Sequence, residues 1–195
     1  AAATIGAAFA AVSAAAIAAG KALVDMTVEG AAYADGVLTT ATQTGIATDK
    51  LQEYMYAAEL IDVSTETLTK SMAKQIKSMK GVQDGTKLSV EAYDKLGVSV
   101  LNADGSMRDS DTVYWEVIDA LGQMENETER DALAMQILGK SAQELNPLIE
   151  AGSERMDELG DAARKAGYVV SEDMLNAYGA LDDQPELVND SPYEE

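Results

Sequence analysis

Four carboxylates crowd into one short stretch, Glu125, Glu127, Glu129 and Asp131. Paired carboxylates can cleave a glycosidic bond, but only across a cleft and with one acid raised in pKa on apolar ground. These four instead surround the start of a helix, where acids complement the exposed N–H groups and the dipole. They read as helix-stabilising residues. Gly139-Lys140-Ser141 ends like a phosphate-binding loop. The first glycine of such a loop would fall at position 134, which is Ala134 inside a helical run. Asn102-Ala103-Asp104-Gly105 has the composition of a calcium loop. With Gly105 at its sixth position, the first ligand would be Val100, which has no oxygen to offer. The chain holds no His and no Cys. That removes the imidazole base, the Ser-His triad, the thiolate nucleophile, the disulfide and the thiolate metal site. No catalytic, cofactor-binding or metal-binding residue is expected, and the chain does not read as an enzyme. A cell-wall hydrolase working through acids alone is the weakest reading, since no carboxylate pair is so placed.

The formal charge is -20. Residues 111–195 hold 21 acids and 5 bases, and residues 1–110 hold 13 acids and 9 bases. Such a chain repels the phosphate backbone, so direct nucleic-acid contact is not expected. It attracts basic partners. Against this background Lys70, Lys74 and Lys77 recur on one helix face, with Lys80 nearby. They form either a solvated face or a basic contact face for the acidic half of this or another subunit.

The elements that position these residues are helices. Alanine dominates the apolar 47%, aromatics are 5%, and there are three prolines in 195 residues. That composition favours helix, because Ala loses no side-chain entropy there and little interrupts it. Residues 1–20 carry no charge and include twelve Ala. Gly6, Ala10, Ala14 and Ala18 form a small-residue ladder at spacing four, a candidate surface for close helix packing in a membrane or in a protein bundle. The length permits a span, while the weak hydrophobicity of Ala favours a packed helix. The apolar run continues through Leu23, Val24 and Val28, as one helix to about Ala34. The start Ala-Ala-Ala without Met reads as a piece of a longer or processed protein, not as a signal peptide, which needs a charged leader.

Beyond it, Thr48 reads as an N-cap, with Leu51, Tyr54, Met55, Ala58 and Ile61 on one face. Ser64 caps the next helix, whose buried stripe is Leu68, Met72, Ile76 and Met79 and whose end is Gly81. A short helix starts at Ser89 or Val90 and ends at Leu96-Gly97. Val98–Leu101, Asn102–Gly105 and Ser106–Arg108 predict a short β-hairpin over residues 98–108. Ser110 caps a helix with Val113, Tyr114, Val117, Ile118 and Leu121 inward, Glu116, Asp119 and Gln123 outward, and Trp115 at the boundary. Asn126 caps Glu127–Leu138, which Gly139 stops. Ser141 to Glu144 reads as a capping box, and Asn146-Pro147 as a cap with Pro at the first helical position. Gly152 ends that turn. Ser153 starts a helix with Met156 and Leu159 buried, ending near Gly167. Ser171 caps a last helix with Met174, Leu175 and Tyr178. From Asp182 onward six acids and no base predict a disordered tail. The expected architecture is mainly α, a helical array with one short hairpin. Residues 1–34 form an Ala-rich apolar helix, 35–181 a compact helical domain, and 182–195 an acidic tail.

The order of these motifs resembles the globular segment of phage tail tape measure proteins. The resemblance lies in Leu96–Val100, Asp104–Gly105, Arg108–Ser110, Val117–Leu121, Asn126–Arg130, Gly139–Ala142 and Leu145–Ile149. Upstream, Gly45–Leu51 and the Ser64 helix are also similar. It covers roughly residues 20–180. Ile137-Leu138 departs from it, where relatives are more aromatic, and residues 184–195 lie outside it. The resemblance implies a structural component of a tailed-phage tail, made in the bacterial cytoplasm and resident in the virion. It implies a part in tail-length determination, assembly and DNA ejection. The implied partners are tube, tip and assembly-chaperone proteins or further copies of the chain, with membrane contact on ejection as a further expectation. A ruler would be one extended helix. The breaks at Gly97, Gly105, Gly139, Gly152 and Gly167 predict a compact module instead. The alternative reading is a membrane-active module whose first helix inserts into the host envelope.

Overall fold

The computed structural model describes residues 20–182, with side chains described over 30–180. These residues form eight α-helices and one 3₁₀ segment. The helices are α1 (Gly20–Thr44), α2 (Thr48–Leu60), α3 (Thr65–Gln83), α4 (Lys87–Leu96), α5 (Ser110–Gly122), α6 (Glu127–Leu138), α7 (Asn146–Lys165) and α8 (Glu172–Asp182). The 3₁₀ segment, Lys140–Leu145, joins α6 to α7. The Gly6, Ala10, Ala14 and Ala18 ladder and residues 183–195 lie outside the described residues.

α3 is the central helix, touching α1, α2, α4, α5, α6 and the 3₁₀ segment. α7 lies against α2 on one side and α5 on the other, and α8 lies along α1. The inward faces follow the 3.6-residue period. Val113, Tyr114, Val117, Ile118 and Leu121 of α5 are all buried, as are Leu133, Ala134, Ile137 and Leu138 of α6. On α1 the buried residues Ala31, Ala34 and Val37 are small, so α8 comes close: a Cβ on Gly179 would meet Leu38 Cδ1 at 3.2 Å. The helix predicted to end near Ala34 runs on to Thr44, because its buried face continues through Val37 and its first left-handed residue is Gly45.

Local caps hold where the acceptor is the first one available. Ser64 Oγ accepts from Thr67 N at 3.1 Å, Asn126 Oδ1 from Glu129 N at 3.2 Å, and Ser171 Oγ from Met174 N at 3.3 Å. Four expected caps differ. Thr48 is the first helical residue, behind Ala47, and caps nothing. Asp109 takes the cap expected of Ser110, its carboxylate accepting from Thr112 N at 2.8 Å. Ser110 Oγ donates instead to Thr44 O of α1 at 3.1 Å. Ser141 sits inside the 3₁₀ segment, and its expected partner Glu144 accepts from Thr67 Oγ1 of α3 at 2.7 Å. Asn146 is likewise already helical, behind Leu145.

The expected hairpin is not formed. Among the described residues there is no strand, only one antiparallel bridge between Leu101 and Met107. Val98 N donates to Tyr93 O at the end of α4, and Asp109 is already the cap of α5, so pairing is confined to the short stretch between them. An isolated two-stranded ribbon is marginal even when longer. The turn is closed by Asn102 N to Ser106 O at 2.8 Å and by Asp104 Oδ1, which accepts from Ser106 N at 3.0 Å.

α3 passes Gly81 and ends at Gln83. Gly81 is a close-approach residue: a Cβ there would stand 2.5 Å from Ser89 Oγ of α4. α4 starts at Lys87, ahead of the expected Ser89. Ile76 is half-buried and Met174 exposed, whereas Ser71, Gln75 and Ser78 lie inside.

Candidate functional site

The polar side chains with the most developed geometry stand on α2 and reach three different neighbours. Gln52 is buried, and its amide forms a reciprocal pair with a backbone unit beyond α7. Nε2 donates to Val170 O at 3.0 Å, and Val170 N donates to Oε1 at 3.0 Å. Glu53 is 2% exposed, with Arg164 Nε of α7 donating to Oε1 at 2.6 Å and Lys50 Nζ 3.3 Å from Oε2. Gly160 makes this possible, since a Cβ there would lie 3.0 Å from Glu53 Cβ. Tyr54 donates its hydroxyl to Asp111 Oδ2 of α5 at 3.0 Å, and Trp115 Nε1 donates to Asp111 Oδ1 at 3.1 Å. The Tyr54 and Trp115 rings meet edge to face at 4.9 Å, a favoured aromatic geometry. Lys50 Nζ stands 5.5 Å from the centre of the Tyr54 ring and 3.4 Å from Asp157 Oδ1.

Burial raises the Asp111 carboxyl above the ordinary carboxylate range, and the Asp109 charge adds to it; the Tyr54 and Trp115 hydrogen bonds and Lys50 oppose them. Burial and the Asp111 charge likewise push the Tyr54 hydroxyl up. A carboxyl with a raised pKa is what a general acid needs. Here each of its oxygens already accepts a hydrogen bond from a packed aromatic side chain, so the group braces α2 against α5.

A second brace lies between α5 and α7. The helical spacing puts Asp119 on the outward face of α5. Its carboxylate instead accepts from Ser153 N at 2.8 Å and from Ser153 Oγ at 2.6 Å. It therefore serves as the N-cap for the second part of α7, which is broken at Gly152 (φ 71°, ψ 175°). That backbone geometry is essentially restricted to glycine. An open cleft of about 350 Å³ runs beside it, lined by Asp119, Gln123, Ile149, Glu150 and Glu154 among others.

No protein-family model, curated protein or solved structure matches this chain. The geometry of the predicted site residues therefore carries the functional argument.

The acidic run is dispersed. Glu129 lies 3.6 Å from Lys95 of α4, Asp131 pairs with Arg130 at 3.0 Å, and Glu125 and Glu127 are exposed. No group of three or more acids among the described residues could hold a metal ion. No described helix is long and apolar enough to cross a membrane. Lys70, Lys74 and Lys77 are exposed on α3. Lys70 is engaged with Glu66 one turn earlier, whereas Lys74 and Lys77 form no ion pair among the described residues. Lys74 leans over the end of α6: its Cγ lies 3.3 Å from where a Cβ on Gly139 would stand. Lys140, which the helical spacing of α3 does not reveal, follows at that corner and is exposed and unpaired among the described residues.

Sequence reasoning missed the braces on Gln52, Glu53 and Asp119. The clue to Glu53 was a weak one, an acid and a glycine, Gly160, on two different helices. Nothing in the spacing pointed to Gln52.

Proposed function

We propose that this chain is a structural segment of a tailed-phage tail, of the tape measure type. It acts in tail-length determination, assembly and DNA ejection through protein–protein contacts. Its place is the virion, after synthesis in the bacterial cytoplasm, and its partners are tube, tip or chaperone proteins and other copies of itself.

One observation supports this reading above the rest. The ordered motifs that carry the resemblance fall on successive corners of one packed unit. Gly97 ends α4 with a left-handed residue, Asp104-Gly105 closes the next turn, Asn126 caps α6, and Gly139 ends it. The apolar residues between and after those corners, Val117 to Leu121 and Leu145 to Ile149, enter the common core at Val117, Ile118, Leu121, Leu145, Leu148 and Ile149. The polar side chains of that core tie helix to helix, which suits a module that bears contacts.

Sedimentation of the chain with and without residues 1–30 tests the proposal. A discrete oligomer that becomes a folded monomer on truncation places the Ala-rich segment at an assembly contact. A monomer in both forms counts against the structural reading. The competing membrane-active reading rests on the uncharged residues 1–20. It requires dye leakage from liposomes that is lost on deleting them.

A further inference from the structure

Two helices of the fold carry charge stripes that complement each other in reverse. On α3, Glu66, Lys70, Lys74 and Lys77 follow at spacings of four, four and three, and all are exposed. They share one face, turned away from the buried Leu68, Met72 and Met79. On α7, Glu154, Glu158, Asp161 and Lys165 follow at spacings of four, three and four, and all are exposed. Their face is opposite the buried Met156, Gly160 and Ala163. Each stripe runs eleven residues from first to last, about 16 Å of helix. Laid antiparallel, the stripes match sign for sign: Glu66 with Lys165, Lys70 with Asp161, Lys74 with Glu158, and Lys77 with Glu154. Laid parallel, Glu66 meets Glu154 at one end and Lys77 meets Lys165 at the other. Much of this charge is unpaired within the chain. Lys74, Lys77, Glu154, Asp161 and Lys165 form no ion pair among the described residues. Lys70 and Glu158 pair only within their own helices, with Glu66 and Arg155.

We propose that α3 of one copy docks antiparallel on α7 of a second copy through these stripes. Charge complementarity selects the occupant, and the fold excludes the same chain. α2 and α5 separate the two helices, each packing on α3 and on α7, and both stripes face away from that packing. The inference rests on the reading that copies of this chain assemble, and it adds which faces meet and in which direction. The two copies contribute different patches, so the contact is head to tail and closes only if its rotation makes a ring. Exposed ion pairs contribute little one at a time. The stripes therefore fix register and direction more than they hold the copies together. Two copies at -20 each repel at low salt. At physiological ionic strength that field is screened beyond about 8 Å, while opposite charges in contact still attract.

Zero-length carbodiimide coupling of the full chain at about 0.15 M salt, read by mass spectrometry, tests it. Equal amounts of unlabelled and ¹⁵N-labelled protein are mixed, so links between chains appear as mixed-isotope pairs. The expected links join Lys70 to Asp161, Lys77 to Glu154 and Lys165 to Glu66, with mixed pairs making up about half, as random exchange of copies requires. Their yield should fall at least several-fold near 1 M salt, where screening reaches to about 3 Å. The double variant Lys74→Glu with Lys77→Glu should lose the Lys165–Glu66 link at least several-fold. Mixing it with labelled Glu154→Lys, Glu158→Lys protein should restore that link, joining Glu66 of the first variant to Lys165 of the second. Links in single-isotope pairs alone would place the contact within one chain and overturn the proposal. Dominant Lys77–Asp161 and Lys70–Glu154 links would show the parallel register and overturn it too. So would a Lys165–Glu66 link that survives in Lys74→Glu, Lys77→Glu protein by itself. An oligomer in sedimentation that shows none of these links overturns this contact and leaves the assembly reading standing; a monomer without links overturns both.

Discussion

Glu53 is the most deeply placed carboxylate among the described residues, and its removal and its orphaning should have unequal effects. Both of its oxygens face cations: Arg164 Nε donates at 2.6 Å and Lys50 Nζ lies at 3.3 Å. Arg164→Met leaves the carboxylate buried with one partner. Breaking a fully buried pair from one side costs about 3–5 kcal/mol. The Arg164 side chain is 53% exposed, so water follows it into the gap, and the expected loss shrinks to about 2–3 kcal/mol. Glu53→Gln keeps the volume and one acceptor, and the exposed Arg164 regains water. Its expected cost is about 1 kcal/mol. The sign of the coupling follows. In the double variant no charge is left stranded, so it should be more stable than Arg164→Met alone. Urea unfolding followed by far-UV circular dichroism measures all four proteins, and a loss of 2–3 kcal/mol moves the midpoint by about 1 M. If Arg164→Met lies within 0.5 kcal/mol of the parent, or the double variant is the least stable, the Glu53 carboxylate does not depend on Arg164 and the reasoning fails.

Three further outcomes are expected. Gly152→Ala forces an L-residue into a glycine-only backbone region and should cost about 1–3 kcal/mol, whereas Gly36→Ala, inside α1 with nothing within 4 Å, should gain roughly 0.5–1 kcal/mol; thermal melts of the pair decide it. Gln75 is 1% exposed and its Nε2 has no hydrogen-bond partner among the described residues, so Gln75→Leu should stabilise by about 1 kcal/mol in urea, and a loss would reveal an internal water there. Asp111 has a folded-state pKa raised mainly by burial, so its ionisation opposes folding. That penalty is absent below the unfolded-state pKa and complete above the raised folded value. The stability of the parent relative to Asp111→Asn should therefore fall as pH rises through that window. A flat difference would contradict it. Glu116, held low by its hydrogen bonds with Arg108 at 2.6 and 2.8 Å, acts in the opposite sense, losing its contribution as pH falls through its folded pKa.

Most of the helical order was legible because its signals are local. The apolar period of α5 and α6 spans two turns, and the caps at Ser64, Asn126 and Ser171 act on N–H groups three residues away. The caps misread at Ser110 and at Ser141 share one cause. A hydroxyl can cap only if no stronger acceptor precedes it and no tertiary partner claims it. Asp109 precedes Ser110, and Thr44 of a distant helix accepts the Ser110 proton. Glu144 is drawn to Thr67, 77 residues away, which leaves no capping box. Gly81 failed as a stop signal because a missing side chain has two uses, and here it makes room for Ser89. The hairpin failed because both of its ends were already committed to helices.

The braces were illegible for a geometric reason visible in α2. Gln52, Glu53 and Tyr54 are consecutive, so they point about 100° apart around the helix. A single apolar stripe at helical spacing admits one of them to the core, Tyr54. All three are buried, because a different element covers each: the segment after α7, α7 itself, and α5. A helix surrounded in this way needs polar residues only where a partner offers the complementary group, and those partners stand 57 to 118 residues away. Amphipathic patterning cannot encode that. It follows that α2 transmits load between α5 and α7 through hydrogen bonds to specific atoms as well as through apolar packing. Substitutions at 52, 53 and 54 should therefore weaken three separate contacts, while leaving the helix itself formed.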